Sequence, residues 1–287
     1  MQPASSSPNN DRAAAIDPID HQQLSATGLL ASLEHLVETD STMHRGRVLA
    51  AKADAADLPA LVLADRQTAG RGRRGAGWWQ AAGSLAMTLV VDPAWLGWSA
   101  DRQQSPAASG WSLACGIAVA EALMELVPRV RVGLRWPNDA EVDGRKLAGI
   151  LAEGTSSGRV LFGIGINTAG SINEAPEPLV ERLVTLPDLI GKPVPRQQFL
   201  EAFLPRLWSL LHRLGDEPQL LQARYAPLCT LTGRSVTFHH GDEQVQGRCL
   251  GIDADGALLI QTTTGPRRFH GGSLTPQSEQ WQPDGSS

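Results

Sequence analysis

The chain has 287 residues, of which 42% are hydrophobic, and its formal net charge at pH 7 is −5. This length allows a sizeable buried core, and the acidic balance excludes a general binder of nucleic acid or membrane surfaces. The cysteines Cys115, Cys229 and Cys249 are widely spaced and form no CxxC motif. Their spacing predicts neither a disulfide framework nor a zinc cluster, and it favours the reducing cytoplasm.

The first part of the chain contains three predicted segments. Residues 1–26 are rich in Ser, Pro, Asn and Ala and carry no secretory signal, so we expect a disordered tail. Residues 29–37 have apolar side chains at helical spacing, which predicts a helix. Capping residues at 39–42 predict a second short helix that runs to about Ala51.

The middle of the chain alternates between strands and helices. Predicted strands cover residues 61–63, 84–91, 132–136, 147–153 and 160–166, and predicted helices cover residues 112–127 and 197–214. Asp143-Gly144 is a hairpin turn signal, and residues 154–158 form a second turn. After about Thr230 the pattern changes to short strands at 235–239, 243–252, 257–262 and 266–270.

These elements predict an α+β fold in which a mixed β-sheet domain with packed helices precedes a small all-β barrel or sandwich. We place the first domain at residues 27–228 and the second at residues 229–281. No run of apolar residues approaches the ~20 that a membrane-spanning helix needs.

A glycine- and arginine-rich segment follows the first strand and is the most informative motif. Residues 67–77 read Gln-Thr-Ala-Gly-Arg-Gly-Arg-Arg-Gly-Ala-Gly, and we call them the Gly-Arg loop. Glycines permit close backbone approach, and three arginines supply bidentate donors, so the loop is predicted to hold an anion. Its GxGxxG spacing does not open a helix, which excludes a dinucleotide fold, and no Gly-Lys-Ser/Thr follows, which excludes a P-loop. A solvated surface loop or an RNA-binding tract is the alternative.

Two further motifs lie in the second half of the sheet domain. Arg135-Trp136-Pro137-Asn138-Asp139 is followed by Lys146-Leu147-Ala148-Gly149-Ile150, and a hairpin between them brings Asp139 near Lys146. A surface ion pair worth at most about 1 kcal/mol is the alternative. Phe162-Gly163-Ile164-Gly165-Ile166-Asn167 has two glycines in an apolar strand, which indicates close approach by a ligand or another backbone, although core packing explains this motif better when it is taken alone. Thr39-Asp40-Ser41-Thr42 is explained equally by helix capping.

In this order and spacing, the motifs resemble those of the bacterial biotin–protein ligases, which activate biotin with ATP. The resemblance covers roughly residues 30–276, and the segments 251–258 and 271–272 look like that family's SH3-like C-terminal domain. It implies a catalytic biotin- and ATP-binding domain at 27–228, an SH3-like domain at 229–281, and ATP, Mg²⁺ and biotin as ligands. The implied partner is the biotin carboxyl carrier protein of acetyl-CoA carboxylase. An edge strand would either pair in a homodimer or dock that carrier.

The resemblance also implies site residues. The catalytic residues would be Lys146, Arg73 and Asp139. The biotin-binding residues would be Ser41, Thr42, Gln67, Arg71, Gly72, Arg73, Lys146 and Gly149. The ATP- or adenylate-binding residues would be Gly70, Arg71, Arg74, Trp78, Asn138 and Asn167. This chain departs from the family's Ser-Thr-Asn at Met43, which removes an amide from the pocket.

Three other functions compete with this interpretation. A lipoate–protein ligase or acyltransferase would share the fold but need a longer, more apolar pocket. A non-catalytic biotin or nucleotide sensor would not need Lys146 and the loop arginines. A DNA-binding regulator is disfavoured by the acidic balance and by the few, mostly polar residues before Ser41, so we predict no repressor activity.

Overall fold

The computed structural model describes residues 17–98 and 110–275, which form two β-sheets with packed helices. The large sheet has the strand order β1-β2-β3-β7-β6-β5-β4. Its strands are β1 Ser32–Thr39, β2 Ala60–Gln67, β3 Leu85–Val91, β4 Gly133–Arg135, β5 Asp139–Val142, β6 Arg145–Gly154 and β7 Val160–Ile166. β1 and β2 run parallel and the other neighbours are antiparallel, which confirms the predicted mixed sheet.

Helices cover both faces of this sheet. They are α1 His21–Ala26, α2 Thr42–Lys52, α3 Trp111–Leu126, α4 Glu177–Val180, α5 Leu186–Ile190, α6 Arg196–Leu214 and α7 Gln219–Tyr225. α3 and α6 pack against each other over one face, where Leu85, Met87 and Leu89 of β3 are buried. α2 packs over the opposite face, beside Val90 and Leu161. None of the described helices is long and apolar enough to cross a membrane.

The second sheet forms the small C-terminal domain. It is antiparallel, with the order β11-β10-β9-β8-β12, and its strands are β8 Ser235–His240, β9 Glu243–Ile252, β10 Leu258–Thr262, β11 Gly265–Phe269 and β12 Ser273–Thr275. The α+β class followed by a small all-β domain is therefore confirmed. The boundary at residues 228 and 229 stays a prediction, and residues 276–281 lie outside the described part of the chain.

The predicted hairpin turn forms between β5 and β6. Asp143 has φ 50° and Gly144 has φ 75°, the left-handed pair of values that a tight two-residue hairpin requires. β6 then runs back beside β5, with Asp139 opposite Gly149 and Glu141 opposite Lys146. The register brings Asp139 opposite the middle of β6, three residues beyond Lys146.

Two predictions for the N-terminal part are wrong. Residues 29–37 do not form a helix, because residues 32–39 form β1, an edge strand paired along its length with β2. Residues 17–26 are not a disordered tail either. α1 buries Leu24, and Asp17 accepts hydrogen bonds from the backbone N–H of Arg196 at 2.8 Å and from its Nε at 3.2 Å. The remainder of the predicted tail, residues 1–16, lies outside the described residues.

Candidate active site

A cavity of about 390 Å³ lies on the α2 face of the large sheet, between the Gly-Arg loop and the C-terminal domain. It brings together every predicted site residue except Gly70 and Asn167. The predicted residues that line it are Ser41, Thr42, Gln67, Arg71, Gly72, Arg73, Arg74, Trp78, Asn138, Asp139, Lys146 and Gly149. Residues that lie more than a hundred positions apart in the chain thus share one enclosed space.

One end of the cavity carries a buried polar cluster at the start of α2. The backbone N–H of Thr42 donates to Gln67 Oε1 at 2.8 Å, and Thr42 Oγ1 donates to the same oxygen at 3.1 Å. Thr88 Oγ1 on β3 donates to Thr42 Oγ1 at 3.0 Å. Ser41 precedes α2 without a side-chain capping bond, so the simple capping explanation of this motif does not account for its hydroxyl. These bonds hold the side chains of Thr42 and Gln67 in fixed orientations at the cavity wall.

The Gly-Arg loop folds back on itself above the sheet. Arg71 pairs with Gly77 as an isolated bridge, and Gly72 N–H donates to the carbonyl of Ala76 at 2.7 Å. Within this turn Arg74 has φ 55° and Gly75 has φ 75°. The loop therefore returns the chain over the cavity and directs three arginines to its lining.

Arg73 is the most enclosed of these arginines. Its Nη1 donates to Asn138 Oδ1 at 3.4 Å and its Nη2 to the carbonyl of Gly272 at 3.3 Å. Burial lowers the pKa of Arg73, the neighbouring charge of Arg74 lowers it further, and Asp139 acts in the opposite sense. A bound anion would relieve both of the unfavourable contributions, because it compensates the buried charge and screens the two guanidinium groups from each other.

Lys146 is the cation on the sheet side of the cavity. Its Nζ lies 2.7 Å from Asp139 Oδ1, and the two side chains are 30% and 28% exposed. The backbone of Lys146 is tied to one neighbouring segment, since its N–H donates to the carbonyl of Arg182 at 2.8 Å and its carbonyl accepts from the N–H of Val184 at 3.0 Å. The predicted proximity of Asp139 and Lys146 is confirmed, and the cavity lining excludes the simple surface-pair explanation.

Trp78 lies flat on the sheet where two glycines are paired. Gly149 of β6 is opposite Gly165 of β7. A Cβ atom at Gly165 would lie 2.4 Å from the Trp78 ring, and one at Gly149 would lie 3.1 Å from it. Lys146 Nζ is 5.5 Å from the centroid of the same ring. Gly149 and Gly165 thus make room for a side chain of this protein, which agrees with the packing explanation of the Phe162–Asn167 motif, and close approach by a ligand stays a prediction.

Two predicted residues do not reach the cavity lining. Asn167 is fully buried, and its Nδ2 donates to the carbonyl of Val184 at 2.9 Å, so the side chain fastens the end of β7 to the following segment. The structure therefore gives no support to its predicted contact with the adenylate. Gly70 acts through its backbone, because its carbonyl accepts from Trp78 N–H at 2.9 Å and a Cβ atom would meet Gln67 Nε2.

Sequence reasoning missed part of the wall. Met43, which was singled out as a departure from the family pattern but given no role, packs on Gly163, where a Cβ atom would lie 2.6 Å from its sulfur. Gly272 and Ser273 close the cavity from the C-terminal domain, and Arg182 adds a further cation. The Gly-Gly pair at 271–272 was the available signal for the C-terminal part of the wall.

The electrostatic character of the lining is opposite to that of the whole chain. Among the described lining residues, the cationic ones are Arg71, Arg73, Arg74, Lys146 and Arg182, and the acidic one is Asp139. The chain as a whole carries a net charge of −5. Such a concentration of positive charge in one cavity suits an anionic ligand. The described residues contain no cluster of His, Cys, Asp or Glu that would hold a metal ion by itself.

Comparison with known proteins identifies the same two regions. The model of the biotin/lipoate A/B protein ligase family matches residues 38–169, and that of the biotin protein ligase C-terminal domain matches residues 231–273. The biotin–[acetyl-CoA-carboxylase] ligase of Paracoccus denitrificans is 33% identical over 239 residues, which cover 80% of this chain and 94% of that protein. The ligase of the same name from Mycobacterium tuberculosis is 34% identical, with coverages of 79% and 82%.

The fold of this chain is also similar to that of a solved structure. The biotin protein ligase from Aquifex aeolicus in complex with biotin and ATP superimposes with a TM-score of 0.72 at 28% identity, covering 85% of this chain and 97% of that one. The two sheets and the cationic cavity between them therefore define the class of protein, a ligase of the biotin and lipoate type. Within that class, the chain belongs to the biotin protein ligase family.

Proposed function

We propose that this enzyme joins biotin to ATP as biotinyl-5′-AMP and then transfers the biotinyl group to a lysine of the biotin carboxyl carrier protein of acetyl-CoA carboxylase. The observation that carries the proposal is the convergence of the Gly-Arg loop arginines and Lys146 on one cavity. The names of the relatives indicate the substrate class. The positive charge of the cavity explains how the carboxylate of biotin and the phosphates of ATP, both anionic, can be bound side by side.

The polar cluster at the start of α2 would bind the ring of biotin. Ser41, Thr42 and Gln67 offer hydroxyl and amide groups that suit the ureido edge of that ring. Because Thr42 and Gln67 are already fixed by hydrogen bonds, they lose little conformational freedom when the ligand binds. Met43 adds an apolar surface beside Gly163, which suits the sulfur-containing ring and the aliphatic chain.

The first chemical step brings a carboxylate to the α-phosphate of ATP, so its barrier is largely electrostatic. A carboxylate oxygen attacks the α-phosphorus, and the bond to the departing pyrophosphate breaks. Lys146 and Arg73 would neutralise the carboxylate and the phosphate as the new bond forms, and the Mg²⁺ that accompanies ATP as part of the substrate would bind the leaving group. Trp78 and Asn138 would hold the nucleotide in line for the attack.

The second step needs an uncharged acceptor amine. A free lysine has a pKa of about 10.4, so the carrier lysine arrives mostly protonated. Asp139 lines the cavity beside Lys146 and would orient the amine or accept its proton. The amine nitrogen attacks the acyl carbon, the carbon–oxygen bond to AMP breaks, and AMP leaves. Because water destroys the mixed anhydride, the Gly-Arg loop would have to stay closed between the two steps.

Lipoate activation is the second candidate, because the matching family model includes lipoate ligases. The polar groups of Ser41, Thr42 and Gln67 at the cavity wall favour biotin, since they suit a ureido ring and the lipoate ring offers no such group. Isothermal titration with each acid distinguishes them. We expect saturable binding of biotin and none of lipoate, whereas tighter binding of lipoate would reverse the assignment.

The test of the overall reaction is transfer of label. The protein is incubated with radiolabelled biotin, MgATP and the carrier domain, and a carrier with its acceptor lysine changed to arginine serves as the control. We expect pyrophosphate release in both reactions and labelled carrier in the first alone. Release of pyrophosphate without labelled carrier would refute the transfer step, and no release would refute the activation step.

Three further features stay predictions. The described cysteines are free thiols, which supports a cytoplasmic location. β1 is an edge strand that exposes Val37, so it is available either for a homodimer or for the carrier protein. The absence of repressor activity is tested by a gel-shift assay with operator DNA.

A further inference from the structure

The Gly-Arg loop is held from outside as well as by its own turn. Arg74 Nη1 donates to Ser273 Oγ at 3.1 Å, and Arg73 Nη2 donates to the carbonyl of Gly272 at 3.3 Å. Both acceptors belong to the segment that leads into β12 of the C-terminal domain. About two hundred residues of chain separate the donors from the acceptors, so these contacts depend on the way the two sheets are assembled.

The conformation of Arg74 makes this external support important. Arg74 has φ 55°, in the left-handed region that non-glycine residues other than Asn and Asp seldom adopt. Such a conformation persists where surrounding contacts fix it. The hydrogen bond from Gly72 to Ala76 supports the turn from within, and the contact with Ser273 supports Arg74 through its side chain.

The acceptor segment is itself rigidly placed. Gly272 has φ 150°, and a Cβ atom there would lie 2.2 Å from Phe238 and 2.6 Å from the carbonyl of His239. Ser273 pairs with His239 as the first residue of β12. The segment therefore lies tightly against β8, and its carbonyl and hydroxyl groups have little freedom to follow a moving loop.

A second contact joins this rigid segment to the catalytic domain. Trp136, two residues before Asn138, donates from Nε1 to the carbonyl of Gly256 at 3.1 Å, and its ring lies 5.8 Å from the ring of Phe238. The same Phe238 packs under Gly272. Ser273 is thus placed, through Phe238 and Trp136, relative to the residues that line the cavity.

We propose that Ser273 is a positioning residue that, through Arg74, holds the Gly-Arg loop closed over the activated acyl group, so that the C-terminal domain controls retention of the intermediate. The inference rests on the proposed function, because it needs an adenylate to retain. It assigns to the C-terminal domain a role in limiting leakage of a reactive product, in addition to forming a wall of the cavity.

The test compares three variants of the full chain. Ser273→Ala removes the hydroxyl, Ser273→Thr keeps it in a residue that suits a strand, and Ser235→Ala removes a hydroxyl from β8 outside the cavity. The enzyme is loaded with radiolabelled biotin and MgATP, and the release of labelled adenylate is followed after a chase with unlabelled biotin. We expect Ser273→Ala to release it about fivefold faster, the size of effect expected for one ordinary hydrogen bond near solvent, with Ser273→Thr and Ser235→Ala close to wild type.

The melting temperature and a double-mutant cycle separate positioning from a general loss of structure. We expect the melting temperature of Ser273→Ala to equal that of wild type. We also expect the effects of Arg74→Ala and Ser273→Ala on the release rate to be non-additive, because each substitution removes the same contact. Unchanged release in Ser273→Ala, equal acceleration in Ser235→Ala, or strict additivity would overturn the inference while leaving the proposed function intact. A wild-type protein that forms no adenylate would overturn both.

Discussion

The cavity takes its positive charge from two segments that hold their side chains differently. Lys146 is on a strand of the sheet, where it pairs with β5, and its backbone is also hydrogen-bonded to Arg182 and Val184 of one further segment. The arginines of the Gly-Arg loop sit on a turn that is closed by its own hydrogen bonds and supported by contacts near 3 Å with the C-terminal domain. A cation on a sheet is aligned before the substrates arrive, whereas cations on a loop can admit substrates and then enclose them.

The sheet-borne cation should have the largest effect. We expect Lys146→Ala to lower the rate of biotin-dependent pyrophosphate release by roughly a thousandfold, because a charge aimed at the reacting anions is lost. The fold should persist, since the side chain is 30% exposed. Circular dichroism checks the fold, and Lys192→Ala, an exposed lysine outside the cavity, is the control. Equal rates of pyrophosphate release in the two variants would show that Lys146 does not take part in the reaction. The sheet would then contribute no catalytic cation to compare with the loop.

Substitutions in the Gly-Arg loop should affect retention of biotinyl-5′-AMP more than its formation. Arg73→Gly removes two hydrogen bonds of a charged group, and we expect biotinyl-5′-AMP to be released roughly tenfold to a hundredfold faster. Arg73→Lys keeps the charge without the planar fork and should give an intermediate rate. Release is measured by the same chase as above. Wild-type retention by Arg73→Gly would mean that the loop does not act as a lid.

The floor of the cavity is tested by adding a methyl group. Gly165→Ala places a Cβ atom 2.4 Å from the Trp78 ring, so the ring must move. We expect the KM for MgATP to rise about tenfold and stability to fall by about 1–3 kcal/mol, the usual cost of overpacking. Gly154→Ala, at the end of β6 with no atom within 4 Å of its Cβ position, is the matched control. A normal KM for MgATP in Gly165→Ala would show that Trp78 does not contact the nucleotide.

A substitution at Asp65, in β2 just before the Gly-Arg loop, should have the smallest effect. We expect it in the pH dependence of the free energy of unfolding. Asp65, two residues before Gln67, lies 2.7 Å from His35 and 2.7 Å from Arg196. Burial raises the pKa of Asp65, but the hydrogen bonds from His35 and Arg196 outweigh it, so the pKa lies below its ordinary value of 3.8. A lowered carboxyl pKa stabilises the fold above the unfolded pKa, and that stability is lost as pH falls through the folded pKa.

We therefore expect Asp65→Asn to unfold about 1 kcal/mol more easily than wild type at neutral pH. The difference should shrink as the pH falls below about 4, where the carboxyl of the unfolded chain becomes protonated, and it should vanish once the pH is below the lowered pKa of the folded state. Urea unfolding at a series of pH values measures it, with Asp242→Asn in the exposed β8–β9 turn as the control. A difference that stays constant with pH would show that the charge of Asp65 is not what stabilises this end of β2.

Structure could be predicted from the sequence most accurately at residues that occur in few kinds of local structure. Asp143-Gly144 specified the hairpin because few other residue pairs take its backbone angles, and this placed Lys146 beside Asp139. The glycines and arginines of the Gly-Arg loop predicted a concentration of positive charge, and the three arginines do line the cavity, whereas the bound anion stays a prediction. Residues 29–37 failed because Leu33 and Leu36 satisfy a helical spacing as well as they satisfy a half-exposed edge strand, and pairing with β2 decides between the two.

Contacts between distant segments were beyond sequence reasoning. Asn167 was assigned to the ligand because it ends a strand beside a glycine motif, yet a bond to Val184 uses its amide. Ser273 carries no distinctive pattern, and its contact with Arg74 exists only once the C-terminal domain is assembled. Asp17 likewise fell in a polar stretch whose ordered end depends on the buried Arg196.

Capture of the intermediate tests the account most directly. The protein is incubated with radiolabelled biotin and MgATP without a carrier, separated from small molecules by gel filtration, and then mixed with the carrier domain without ATP. If cations from the sheet and the loop together enclose an activated acyl group, the label elutes with the protein and passes to the carrier. Label that elutes with free biotin, or that reaches the carrier only when fresh ATP is added, would contradict it.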